Sequence, residues 1–208
     1  MKPAPLLHYT PPTDPIRVLH RDADLLVVEK PAGLLSVPGK DPAHADCLIT
    51  RLEGEGALLI HRLDMDTSGV MVFAMNRPAQ RHLGLQFERR HVAKTYEALV
   101  EDKPGVGGVI DLPLVCDWPN RPLQKVCHET GRPARTEWRR IGPSRLELTP
   151  LTGRSHQLRV HLKELGHPIV GDRFYGTEGA RLCLHATRLE LYHPADGRRV
   201  AFESAAPF

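Results

Sequence analysis

Apolar positions along the chain fall mostly into short runs cut by Gly and Pro rather than into long amphipathic stretches. Leu25–Lys30 opens with four consecutive apolar residues, Leu-Leu-Val-Val, and reads as a buried strand. The run at 70–75, directly after Gly69, reads as another. Residues 92–100 predict a strand that sets Lys94, Tyr96 and Ala98 on one face. Residues 134–141 and 145–151 predict an antiparallel pair joined at Gly142-Pro143. A short strand is expected near 109–112, and others within 182–202 around the turn Asp196-Gly197. Helical spacing occurs at 78–90, with Pro in the first turn and Leu83 and Phe87 four apart. It recurs at 155–165, where Leu158, Leu162 and Leu165 share a side and Gly166 is the stop. Asp46 is the expected cap of a shorter helix ending about Leu52. Residues 1–24 read as an N-terminal arm. Many strands, few helices and no regular alternation predict one α+β domain over 25–208, its sheet mixed and mostly antiparallel.

With 208 residues the chain is long enough for a substantial core. No apolar run approaches the roughly 20 residues that span a bilayer, and the N-terminus has no signal-peptide core. The expected compartment is the cytoplasm, with no membrane partner. The four Cys, at 47, 116, 127 and 183, form no C-x-x-C pair and read as free thiols. A net charge of +3 decides nothing about nucleic acid. More telling is that 21 of the 28 cationic side chains are Arg, whose planar fork grips phosphate and stacks on bases. A biased genome composition gives the same ratio.

Cofactor motifs are absent: there is no G-x-G-x-x-G after a strand, no G-x-x-x-x-G-K-[ST] and no H-E-x-x-H. His156 and His161 stand five apart, a poor helical chelate. No metal and no cofactor is expected. The chemistry concentrates in His61-Arg62-Leu63-Asp64-Met65-Asp66-Thr67-Ser68-Gly69, a charged, hydroxyl-rich loop set against a predicted strand. Loops at the edge of a rigid sheet often carry binding and catalytic groups; an ordinary turn aspartate is the alternative. Thr152-Gly153-Arg154-Ser155-His156-Gln157 sits at a predicted helix N-terminus, where free N–H groups favour an anion. That anion is an RNA phosphate or a carboxylate of the protein; alternatively Thr152 or Ser155 simply caps the helix.

These two segments carry a resemblance. His61 to Gly69 matches the H-R-L-D-x-x-T-S-G signature of the RluA-type pseudouridine synthases. Lys30-Pro31-Ala32-Gly33 resembles that family's K-P-x-G loop, and Lys94-Thr95-Tyr96 its K-x-Y strand. Residues 152–161 resemble its second arginine motif, which Gly166-His167-Pro168-Ile169 and Gly171-Asp172 continue and Leu184-His185-Ala186 closes. The segment 116–122, Cys-Asp-Trp-Pro-Asn-Arg-Pro, further resembles the member that acts on both large-subunit ribosomal RNA and transfer RNA. Only about 24 residues precede the first predicted strand, too few for the S4-type RNA-binding domain of many relatives.

The resemblance implies isomerisation of uridine to pseudouridine in stem-loops of 23S rRNA and tRNA, the anticodon loop included, by a monomer that needs no cofactor. It implies Asp64 as the essential carboxylate, acting at C1′ or at C2′, and Arg154 as the cation that keeps it ionised. It implies Tyr96 as the aromatic that stacks on the flipped uracil, and Arg62 as the side chain that fills the vacated stack. His61, Lys30, Lys94 and Leu184 are expected to contact the RNA or the flipped base. A module of the same fold that binds RNA without chemistry is the alternative. A nucleoside glycosylase, which would release free uracil, is a third reading.

Overall fold

β4, Ser68–Ala74, is buried at all seven positions. This is why it reads as an unbroken apolar run rather than as an alternation. The computed structural model describes residues 9–208, so the first eight residues of the expected arm lie outside the described residues. The described chain divides into two compact units. One comprises residues 9–95 and 185–207; the other comprises 96–184 and Phe208.

In the first unit β2, Leu25–Lys30, pairs antiparallel with β4 from Leu25↔Ala74 to Lys30↔Gly69. β1, Arg17–Arg21, pairs antiparallel with β2. The arm expected over 1–24 therefore contains a strand, whose alternation was hidden by a register shift between Val18 and His20. β3, Leu58–Leu59, borders the end of β4. β11, Leu184–Tyr192, meets the start of β4 in parallel, with His185 opposite Ser68 and Ala186 opposite Gly69. β12, Arg199–Glu203, closes a hairpin on β11 around Asp196-Gly197, as expected. Leu25, Val27, Val70, Val72, Leu83, Leu189 and Leu191 form the core of this unit.

The helix predicted over 78–90 is α2, Arg77–Glu88, capped by the Asn76 side chain accepting from Ala79 N–H at 2.8 Å. The shorter helix α1, Leu48–Arg51, is capped at Cys47 and not at Asp46. Asp46 instead makes a bidentate pair with Arg51, 2.7 Å to each oxygen, because an Arg five residues on competes for the carboxylate. At the far end of the sheet, Asp22 takes hydrogen bonds from His20 (2.7 Å) and His193 (2.9 Å) and so ties two turns together.

In the second unit the order is β5 (Ala93–Leu99, from Tyr96 onward), β10 (Arg145–Pro150), β9 (Arg135–Arg140) and β6 (Gly107–Asp111), all antiparallel. The single strand expected near 109–112 is in fact β6 followed by β7, Leu114–Cys116, which forms a separate hairpin with β8, Gln124–Val126. α3, Gln157–Glu164, begins two residues later than predicted because His156 takes a left-handed φ of +54°. Neither Thr152 nor Ser155 caps it. Leu158 and Leu162 are in the core with Ala98, Val100, Leu146, Leu148 and Ile169, whereas Leu165 is at the surface. Apart from the β4–β11 contact the strand pairs named are antiparallel, so the fold is α+β with a mixed sheet.

Candidate active site

Asp64 lies on the loop that leads into β4, just before the turn at 65–66. Thr67 N–H donates to its carbonyl at 3.2 Å and turns the chain. The loop before it hangs on the Lys30-to-Ser36 loop. Gly33 N–H donates to Met65 O at 2.9 Å. Ser36 Oγ donates to Leu63 O at 2.7 Å and accepts from Leu63 N–H at 3.2 Å. Lys30 is the centre of this tie. It is fully buried, and its Nζ donates to the carbonyls of Pro31 (2.8 Å), Leu34 (2.6 Å) and Met65 (2.9 Å). Burial pulls its pKa down to about 7, against the pull of Asp66 and Asp64 in the opposite direction. The Lys30 Nζ, expected to contact RNA, is directed here at three backbone carbonyls and holds the loop.

His61, also expected at the RNA, makes internal contacts too. Its Nε2 accepts from Val72 N–H at 3.1 Å, and its ring stacks on Phe87 with centroids 4.6 Å apart. Burial and then the Lys94 charge push its pKa down to about 3, so the ring is neutral and the proton sits on Nδ1. His61 braces the loop from inside. Arg62, next in sequence, is exposed, Leu63 is buried and Asp64 is half-buried.

Gly69 ends the signature for a steric reason. Its φ is +119°, and a Cβ there would lie 2.3 Å from Ala186 O and 2.5 Å from Ala186 N. Only glycine lets β4 and β11 meet this closely. Beside that contact runs a buried polar chain. Ser204 Oγ donates to the Glu29 carboxylate at 2.7 Å, so it must accept from His185 Nε2–H at 3.1 Å. His185 Nδ1 is then an acceptor, and takes the proton of Ser68 Oγ at 2.8 Å. Ser68, the hydroxyl four residues after Asp64, is thus fixed in direction by a carboxylate on β2. His185 enters the sequence reading only through its motif, because its partners lie 19 and 117 residues away and leave no local signal.

In the second unit Arg154 is half-buried, and Nε donates to Pro133 O at 3.1 Å. Its backbone N–H donates to Gln157 Oε1 at 3.0 Å, which also accepts from Thr152 Oγ1 at 2.7 Å. Gln157 Nε2 in turn donates to Arg135 O and Thr136 Oγ1, each at 3.0 Å. The side chain of the first helical residue therefore does the work assigned to a Thr or Ser cap. Arg159, in the same motif, is 2% exposed and grips Asp172 in a bidentate pair at 2.8 and 2.7 Å. Asp172 Oδ1 also accepts from Phe174 and Tyr175 N–H. Tyr96 is partly exposed opposite Leu148. Leu184 is buried in the core cluster of this unit. Lys94, in the other unit, is half-buried, and burial and then Arg90 lower its pKa.

One group of potential metal ligands exists among the described residues: His20, Asp22 and His193. His193 Nδ1 accepts from Ala195 N–H at 3.2 Å, which leaves the proton on Nε2, the atom that faces Asp22. The trio is a hydrogen-bonded clamp in this arrangement. Asp22 is held well below the usual carboxylate range by its bonds from His20, Asp24 N–H, His193 and Leu25 N–H, which outweigh burial.

Comparison with known proteins bears on what this arrangement does. Residues 24–164 match the family described as RNA pseudouridylate synthase. The chain is 49% identical over 215 residues to the dual-specificity RNA pseudouridine synthase RluA of Salmonella typhimurium (strain LT2), covering 97% of this chain and 98% of that one. It is 48% identical to the protein of the same name from Escherichia coli (strain K12), with the same coverage. Among solved structures, human RNA pseudouridylate synthase domain containing 1 superposes with a TM-score of 0.78 at 28% identity, covering 96% of this chain and 87% of that one. With the signature loop, the K-x-Y strand and the second arginine motif all in place, the chain belongs to the RNA pseudouridylate synthase family, in its RluA-type branch.

Proposed function

We propose that this RNA pseudouridine synthase acts on uridines in small stem-loops of both 23S rRNA and tRNA, the anticodon loop included, as a cytoplasmic monomer. The observation that carries the reading is the likeness, over nearly the full length of both chains, to relatives named for dual specificity. No helix among the described residues is long and apolar enough to cross a membrane. The reaction breaks the bond from C1′ to N1 and rejoins C1′ to C5, with one proton moved, so no redox partner or energy donor enters the balance.

Asp64 supplies the carboxylate, as nucleophile at C1′ or base at C2′. Its half-buried place on a loop pinned from two sides supports that role, since catalytic groups need fixed geometry. Tyr96 and Arg154 take the roles their motifs imply, as stacking aromatic and supporting cation. The target base must leave its stack to react, and extrusion costs least in a loop. Arg62, exposed beside the buried Leu63, has the length to occupy the gap.

The test is pseudouridine formation on a synthetic anticodon stem-loop and a 23S rRNA hairpin, read by nucleoside chromatography. Turnover of both is expected, and Asp64→Asn should lower it at least 10²-fold, the low end for a single acid–base or nucleophilic group. Activity of the variant within tenfold of the parent would remove Asp64 from the role. A requirement for intact ribosomal subunits would refute the stem-loop reading.

A further inference from the structure

The segment 116–122 is unused by the chemistry above, yet it builds the most exposed aromatic feature of the second unit. Trp118 is 67% exposed, at the tip between β7 and β8. The guanidinium carbon of Arg121 lies 3.0 Å from the centroid of its ring. Pro119, Asn120, Arg121 and Pro122 are exposed as well.

The tip is internally hydrogen-bonded. Asp117 N–H donates to Leu123 O at 2.9 Å and Leu123 N–H to Asn120 O at 3.0 Å. Asn120 Nδ2 donates to Asp117 Oδ2 at 2.7 Å, and Lys125 pairs with Asp117 Oδ1 at 2.9 Å. Since Lys125 neutralises Asp117, the exposed charge left at the tip is that of Arg121.

Two struts tie this hairpin to the turn that carries Arg154. Leu114 exchanges backbone hydrogen bonds with Arg132, at 3.0 and 2.8 Å, and the next residue, Pro133, holds the Arg154 guanidinium. Tyr175 OH accepts from Gln124 N–H at 2.8 Å and bonds His156 Nδ1 at 2.7 Å, two residues beyond Arg154. An aromatic–arginine tip is thus anchored on the segment that presents the motif arginine.

We infer that Trp118 is a stacking platform for a nucleobase of the substrate RNA other than the target uridine, with Arg121 bracing the ring and meeting the adjacent phosphate. Single-strand readers use this combination, because every base offers a face to an aromatic and every nucleotide a charge to an Arg. The inference rests on an RNA stem-loop being the substrate.

Steady-state kinetics of the full chain on the anticodon stem-loop tests it. Trp118→Ala should raise KM about 5- to 150-fold, the equivalent of about 1–3 kcal/mol per stacked base, with kcat changed less than threefold and an unchanged Tm. Trp118→Phe should return KM to within a few-fold of the parent. In a Trp138→Phe background Trp118 is the sole tryptophan, and saturating stem-loop should quench its fluorescence. Arg121→Ala should lower the slope of log affinity against log salt by about one phosphate contact. A Trp118→Ala enzyme with the parent's KM, or a fluorescence signal indifferent to bound RNA, overturns the inference while leaving the substrate assignment intact. A parent inactive on both stem-loops overturns the two together.

Discussion

Gly69→Ala isolates the geometry that seats the Asp64 loop. The added methyl would lie 2.3 Å from Ala186 O, 2.5 Å from its N and 2.8 Å from its carbonyl carbon, all backbone atoms in a parallel strand contact. No side-chain rotation relieves that overlap, so β4 and β11 must part. Overpacking of this kind costs about 1–3 kcal/mol. The φ of +119° is a further strain for an L residue, worth about 1–3 kcal/mol. The sum, about 2–6 kcal/mol, is a large share of the 5–15 kcal/mol that typically holds a domain together. At about 2–4 °C per kcal/mol for a chain of this size, Tm should fall by roughly 10 °C. Below Tm, activity on a stem-loop should fall at least tenfold, because Gly69 pairs with Lys30, whose side chain ties the loop together. Gly84→Ala is the control. It lies within α2 with nothing near its missing Cβ, and should stabilise by up to about 1 kcal/mol. Urea unfolding of the two variants at one pH settles the matter. A Gly69→Ala protein within 1 kcal/mol of the parent would show that the close approach of β4 and β11 is not a constraint.

Two further outcomes concern buried polar groups. Asp172→Ala leaves the Arg159 guanidinium buried without its counter-charge and should cost about 3–5 kcal/mol in urea unfolding; Arg159→Met combined with Asp172→Leu should recover part of that loss, and no recovery would refute the charge-burial account. His61 should stay neutral to about pH 3, so the unfolded state takes up its proton first, near pH 6.5, and the native state only near 3. The stability it contributes is present above pH 6.5 and declines as pH falls towards 3, by on the order of 5 kcal/mol in total; parent and His61→Gln unfolding curves between pH 7.5 and 4.5 should converge with acid, and parallel curves would contradict the shift.

The local elements were legible where burial on both faces or a strict spacing leaves a mark in the sequence. Leu25–Lys30 is the strand its four apolar residues announce. The pair at 135–140 and 145–150 follows from Gly142-Pro143. β1 was missed because a half-exposed strand with a register shift shows no clean period. The helix caps were misassigned because a cap is a contest between neighbours. At α1 Arg51 draws Asp46 away, and at α3 the Gln157 side chain folds back on the turn. The His20–Asp22–His193 clamp joins residues 171 apart along the chain, beyond the reach of any local pattern.

Within the site, neighbouring residues of the signature loop differ sharply in exposure, with Arg62 exposed and Leu63 buried. His61 accepts from Val72 N–H and Leu63 is locked to Ser36, whereas Arg62 between them is exposed. Two neighbours of similar chemical promise, His61 and Arg62, therefore have opposite fates, decided by the contacts each makes rather than by residue type. The second arginine motif follows a different rule. Residues 157–162 of α3 are all buried, so no face of that stretch is left for solvent. Every polar side chain there must find a partner inside the protein. Gln157 finds Arg135 O, Arg159 finds Asp172, and His161 donates to Leu112 O while accepting from Thr136. Those partners lie 13 to 49 residues away, so the sequence names the demand but not the supplier. Arg154 stands just before this buried stretch, on the half-exposed turn, and that position rather than its charge distinguishes it from Arg159.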